Sequence, residues 1–213
     1  ASGNNDKKIK LGTVGVPNHG MEIKLAEDGE ILTRGGAVFK GYFKNEEATK
    51  EVLDEDGWLH TGDVGVWDGE FLKIIDRKKD IIITSGGKNV SPQEIENKLK
   101  ISPFIKDAIV IGDKRKFLSA LIAIEFDTVS NWALRKNIPH TTYRDLSEKD
   151  EVKDLVWKEI LKANEQTSSL EIRKFRMIPK ELDHEDGELT ATQKIKRNVL
   201  IEQFNDLIEE MYI

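Results

Sequence analysis

Residues 76 to 97, DRKKDIIITSGGKNVSPQEIEN, join three unlike pieces: a charged block from Asp76 to Asp80, a short aliphatic run, and Gly86-Gly87 ahead of a helix start. The glycines free the backbone and leave room for a ligand or another chain to come close, so the contact they point to is at the main chain. Two other strings carry charge in suggestive settings, Thr61-Gly62-Asp63 and Lys194-Ile195-Lys196-Arg197. Taken bare, the first is a turn and the second a solvated start to the last helix. The stretch from Asp76 taken bare is a charged surface turn followed by a Gly-Gly hairpin. Metal and thiol chemistry find no support: there is no cysteine, and the histidines at 19, 60, 140 and 184 give no close ligand spacing.

The elements that must position these residues change character once along the chain. From residue 10 to 75, short alternating runs (GTVGV, MEIKL, EILTR, EFLKIID) are separated by turn signals at Asn18 to Gly20, Asp28-Gly29, Asp56-Gly57 and Asp68-Gly69, a pattern of β hairpins. From residue 76 onward helical periods appear among three strand candidates, KDIIIT, KDAIVIG and LSALIAIEF, with Ile81 to Ile83 expected as a short buried strand. Ser91-Pro92-Gln93-Glu94 predicts a helix N-terminus, with Ser91 as cap and Ile95 and Leu99 facing the core. Val152, Leu155, Val156, Ile160 and Leu161 predict one amphipathic helix; Val199, Leu200, Phe204, Leu207, Ile208 and Met211 predict another that closes the chain. The charged block between the two textures is a candidate solvated linker. The fold class is therefore α+β.

With 213 residues, 38% of them hydrophobic, the chain can build real cores. Its 33 basic and 39 acidic residues are interspersed and leave a net charge of −6, so no broad cationic surface exists for nucleic acid. No apolar run approaches the roughly 20 residues that span a bilayer, and ASGNNDKKIK has no signal-peptide apolar region. The absence of cysteine fits a reducing cytoplasm.

Read together, the motifs resemble the adenylate-forming enzymes: acyl-CoA synthetases, nonribosomal-peptide adenylation domains and luciferases. GTVGVP (12 to 17), GEILTRGGAVFKGY (29 to 42), GWLHTGDVG (57 to 65), the stretch from Asp76, and LTATQKIKR (189 to 197) follow that family's order and approximate spacing. SGGKNVSPQEIE and the C-terminal segment look most like bacterial long-chain fatty acid–CoA ligases. The resemblance implies a C-terminal portion: residues 1 to 75 as a β-rich, distorted barrel-like remnant of the large domain, and 76 to 213 as the small mobile domain, a short antiparallel sheet flanked by helices. The Ser/Thr/Gly-rich phosphate loop and the acyl pocket would lie upstream, in a large domain acting in cis.

The resemblance also implies roles. Lys194 stands where the family places its adenylation lysine, although Gln193 replaces the usual Gly before it and Lys196 lies two residues further on. Asp63 corresponds to the aspartate that accepts hydrogen bonds from the ribose hydroxyls, Arg77 to an arginine that contacts the nucleotide, and Asp76 to the hinge. Ser85, Gly86 and Gly87 would line the pantetheine tunnel. Lys88 and Asn89 depart from some members' patterns, so no adenine-gating role is carried to them. The implied partners are a fatty acid, ATP and CoA, with Mg2+ held mainly by the upstream part and no metal site here, in the cytoplasm, with peripheral association at the inner membrane face left open. Alternatives are another acyl group, a carrier-protein thiol as acceptor, or a noncatalytic docking module.

Overall fold

The computed structural model describes residues 1–4, 8–167 and 170–213, which separate into two compact units, Ala1–Ile81 and Ile82–Ile213. The first unit contains β1 (Ser2–Gly3), β2 (Val16–Pro17), β3 (Met21–Leu25), β4 (Glu30–Gly35), α1 (Glu46–Val52), β5 (Leu59–Asp68) and β6 (Phe71–Arg77), followed by a 3-10 turn, Lys78–Asp80. Strands β3 to β6 form an antiparallel meander in sequence order, and β1 pairs with β2. Asp28-Gly29 and Asp68-Gly69 turn two of its hairpins, each glycine in the left-handed region (φ +82° and +66°). Ile31, Leu32, Trp58 and Leu72 form the buried apolar core of this unit.

The run GTVGV, expected as a strand, is mostly irregular: only Val16–Pro17 is strand, while the Val14 amide and the Gly15 carbonyl bond to Leu72 of β6 at 2.8 Å. Gly15 explains this: its φ is +88°, and a Cβ there would lie 2.0 Å from the carbonyl carbon of Gly3, so the chain makes a close backbone crossing instead of a regular strand.

The second unit contains β7 (Ile82–Ile83), β8 (Asn89–Val90), α2 (Pro92–Leu99), β9 (Ile105–Ile111), β10 (Leu118–Ile124), α3 (Phe126–Arg135), α4 (Tyr143–Glu148), α5 (Asp150–Glu165), β11 (Ile172–Met177), α6 (Arg197–Gln203) and α7 (Asn205–Glu210). Its sheet has the order β11-β10-β9. The β9–β10 pair is antiparallel as expected, while β11 joins parallel to β10 because the α3–α5 crossover returns the chain in the same direction. Every residue of β10 is buried, which accounts for the unbroken apolar run LSALIAI. Leu118, Ala120, Ile122 and Ile124 face a core built with Ile95 and Leu99 of α2 and Val152, Val156 and Ile160 of α5. Leu121 and Ala123 face a second core made with Leu200, Phe204, Ile208 and Met211. Helices therefore cover both sheet faces, and the α+β class is what the structure shows.

The Ser91 hydroxyl accepts from the Glu94 amide at 3.2 Å with Pro92 in the first turn, the expected start of α2. Three expectations need correction. Leu161 is 43% exposed, and Ala163 takes the next core position of α5 after Ile160. The closing helix is two helices, broken at Phe204 (φ −107°, ψ 25°), whose ring remains in the core so that the apolar stripe continues across the break. In β7 only Ile82 is buried, Ile83 being 52% exposed, because a two-residue hairpin strand turns alternate side chains outward.

Candidate active site

The residues singled out from sequence fall into separate groups in the two units. In the first unit, the register between β4 and β5 pairs Leu32 with His60 and Glu30 with Val64, so Thr61, Gly62 and Asp63 together stand opposite Ile31 alone. The Thr-Gly-Asp string is thus a bulge within a strand, not a loop. Gly62 makes it feasible with φ +71°. The Thr61 hydroxyl donates to the Ile31 carbonyl at 2.7 Å, replacing a ladder bond, and also accepts from the Asp63 amide at 3.2 Å. A second irregularity lies across the sheet. Val64 pairs with Asp76 but Gly65 with Ile74, leaving Ile75 as the extra residue, and Asp63 stands beside Arg77. Their side chains meet: Arg77 Nη1 donates to Asp63 Oδ1 at 2.8 Å.

Beneath this pair lies Glu30, which is 4% exposed. Its Oε1 accepts from the Gly62 amide at 2.9 Å; its Oε2 accepts from Lys78 Nζ at 2.9 Å and faces His60 Nδ1 at 3.2 Å. Lys78 also reaches Asp28 at 2.6 Å. Burial pushes the Glu30 carboxyl up, but the bonds from Lys78, Gly62 and His60 outweigh it and hold the group below the ordinary glutamate value. Asp28, then Glu30, raise Lys78 above the ordinary lysine value. Sequence reasoning missed Glu30, His60 and Lys78 as a group. The available signal was a glutamate at the first position of a strand whose following residues are apolar.

Asp76 is 3% exposed, lies within β6, and its Oδ1 accepts from the Arg77 amide at 2.7 Å. The charged block is therefore not a solvated linker throughout: Asp76 and Arg77 end a strand, and Lys78–Asp80 form a 3-10 turn.

In the second unit, Ser85, Gly86 and Gly87 are exposed in the loop joining β7 to β8, whose register pairs Ile82 with Val90 and Ile83 with Asn89. The Ser85 amide bonds to Arg115 O at 3.0 Å and the Gly87 amide to Thr84 O at 2.9 Å. A Cβ on Gly86 would meet nothing within 4 Å, so packing inside this unit does not demand a glycine there.

Lys194 lies in a small hairpin closed by the Leu189–Ile195 bridge. The Thr190 amide bonds to Lys194 O at 2.8 Å, and the Thr190 hydroxyl accepts from the Lys194 amide at 3.0 Å. The base is fixed by Glu188, fully buried, whose carboxylate accepts from the Asp183 amide at 2.9 Å and from Gln203 at 2.8 Å. Lys194 itself is exposed. Gln193 has φ +60°, the left-handed conformation for which glycine is suited. Gln193→Gly is expected to raise the stability of this unit by about 1 kcal/mol, relief of the left-handed strain at residue 193 exceeding the glycine's added chain entropy; a lower melting temperature would show the hairpin to be unstrained. Lys196, by contrast, precedes α6 as its cap residue, with its amide bonded to Glu188 O at 2.8 Å.

Among the described residues no group of three or more His, Asp and Glu side chains could hold a metal ion, and no helix is long and apolar enough to cross a membrane.

The fold and these motifs define a class. Residues 79–213 match the family described as AMP-binding enzyme C-terminal domain, and the chain belongs to the AMP-binding enzyme family. Among particular relatives, it is 42% identical over 96% of its length to the long-chain-fatty-acid–CoA ligase FadD15 of Mycobacterium tuberculosis, and 38% identical over 95% to long-chain-fatty-acid–CoA ligase 6 of Mus musculus. It spans 34% and 31% of those proteins, about a third of their length. Of solved structures, the adenylation domain of a Mycobacterium chelonae carboxylate reductase superposes with TM-score 0.75 at 23% identity, covering 94% of this chain and 32% of that one, a likeness of fold. O-succinylbenzoate coenzyme A synthetase of Bacillus subtilis, solved in complex with ATP and magnesium ion, matches at 29% identity and TM-score 0.60, covering 89% of this chain and 35% of that one.

Proposed function

We propose that this chain is the C-terminal portion of a long-chain fatty acid–CoA ligase, which activates a fatty acid with ATP to acyl-AMP and pyrophosphate and then transfers the acyl group to the thiol of CoA. The observation that carries this reading is Lys194, exposed at a braced hairpin in a chain 42% identical to such a ligase over nearly its whole length.

The first half-reaction builds negative charge on the α-phosphate and on departing pyrophosphate, and a cation aimed there is the protein's main lever. Lys194 supplies it. Asp63 offers two acceptor oxygens to a vicinal ribose diol, and Arg77 adds a fork of donors toward the nucleotide. Asp76, near the end of β6, is the hinge, about which the second unit turns between half-reactions. In the second orientation Ser85, Gly86 and Gly87 flank the pantetheine arm; the open space around Gly86 supports this, since a side chain there would narrow the passage. The described residues make no magnesium site, so no step is assigned to the ion here. The absence of cysteine supports a cytoplasmic site of action.

The test is CoA-dependent formation of palmitoyl-CoA and AMP by this segment joined to the N-terminal portion its relatives carry; product with a carrier-protein thiol and none with CoA would move the reading to a carrier-dependent adenylating domain. The hinge has its own test on the present chain. Trypsin is expected to cut after Lys79, which is exposed, in preference to Arg77 and Lys78, which are held by ion pairs to Asp63, Asp28 and Glu30. Cleavage first within unit interiors would count against a flexible junction.

A further inference from the structure

We infer that Glu30 is a positioning residue for nucleotide recognition, its buried carboxylate holding the Asp63 bulge through the Gly62 amide and the Arg77 segment through Lys78. The inference rests on the proposed ribose role of Asp63. A three-on-one bulge leaves amides without ladder partners, and Glu30 Oε1 takes the one at Gly62, immediately before Asp63. Glu30 Oε2 takes Lys78, immediately after Arg77, and faces His60, immediately before Thr61. One carboxylate thus braces both sides of the Asp63–Arg77 pair.

The direct bond between Asp63 and Arg77 cannot by itself keep the two in place during binding. Ribose hydroxyls compete for the same Asp63 oxygens, so the pair loosens as the ligand arrives. Whatever holds their positions must lie beyond the ligand's reach, and Glu30, 4% exposed beneath the bulge, meets that condition. Asp28 backs the brace by sharing Lys78.

The experiment compares kcat/KM for ATP and for 2′-deoxy-ATP in the ligase that carries this segment. Glu30→Gln keeps the acceptor for Gly62 and loses the charge that holds Lys78. It is expected to lower kcat/KM for ATP about tenfold and to narrow the preference for ATP over 2′-deoxy-ATP, with KM for the fatty acid unchanged. Lys78→Met, at an exposed site, is expected to shift the preference in the same direction by a smaller factor, and it keeps the test alive should the Glu30 variant fold poorly. An equal decline with both nucleotides, or an unchanged preference in both variants, overturns the positioning role. Asp63→Asn separates the two levels: if it narrows the preference while Glu30→Gln and Lys78→Met do not, only the brace is wrong; if it too leaves the preference intact, the ribose assignment fails and the inference with it.

Discussion

Lys194→Ala is expected to slow acyl-adenylate formation by about 10²-fold or more, the equivalent of roughly 3 kcal/mol of lost transition-state stabilisation. Thioester formation from supplied acyl-adenylate should be largely spared if the proposed hinge rotation has by then carried the hairpin away from the nucleotide. Lys196→Ala is the paired control and should do much less. Both lysines are exposed; they differ in that Lys194 follows the left-handed residue 193 in the hairpin, whereas Lys196 lies at the entry to α6. The measurement is pyrophosphate release for the first half and CoA-dependent consumption of synthetic acyl-adenylate for the second. Loss of adenylation in the Lys196 variant alone would place the adenylation lysine two residues further on.

The second large effect is expected at the ribose acceptor. Asp63→Asn keeps the size of the side chain but loses its negative charge and the ion pair with Arg77 at 2.8 Å. Hydrogen bonds to a charged group are worth about 1.5–3 kcal/mol, so KM for ATP should rise about tenfold to a hundredfold. KM for the fatty acid should be unchanged, since the proposed acyl pocket lies in the upstream portion. A variant with normal ATP dependence would remove Asp63 from nucleotide binding.

Much of the architecture was legible because the chain writes its burial pattern plainly. The unbroken apolar run of β10 marks a strand covered on both faces, and Ser91-Pro92 marks the start of α2. Other elements left no such trace. Helix α1 has no buried residue, so no apolar period announces it; it is capped by Asn45, which accepts from the Ala48 amide. Strand β11 carries Arg173, Lys174 and Arg176 because it is the sheet's edge, where charged side chains reach solvent. Strand β5 was hidden by its own composition. Thr-Gly-Asp has the composition of a turn, and only the pairing of Leu32 with His60 and Glu30 with Val64 reveals that it bulges from within a strand.

The candidate residues stood in motifs, and what supports them in the fold was less legible. Asp63 and Arg77 each stood in a motif, but their support comes from a distant position: Glu30 is 32 residues before Gly62 and 48 before Lys78. No local period or spacing encodes such a contact. The glutamate becomes meaningful only when the meander brings β4 under the bulge of β5.

The central claim, that the chain works as part of a carboxylate-activating ligase, is tested most directly by exchange of labelled pyrophosphate into ATP. With this segment joined to the N-terminal portion its relatives carry, a long-chain fatty acid should support exchange in the absence of CoA, and addition of CoA should then release AMP. The absence of exchange with every carboxylate tried, from a protein that still binds ATP, would contradict the account and favour a docking module without catalysis.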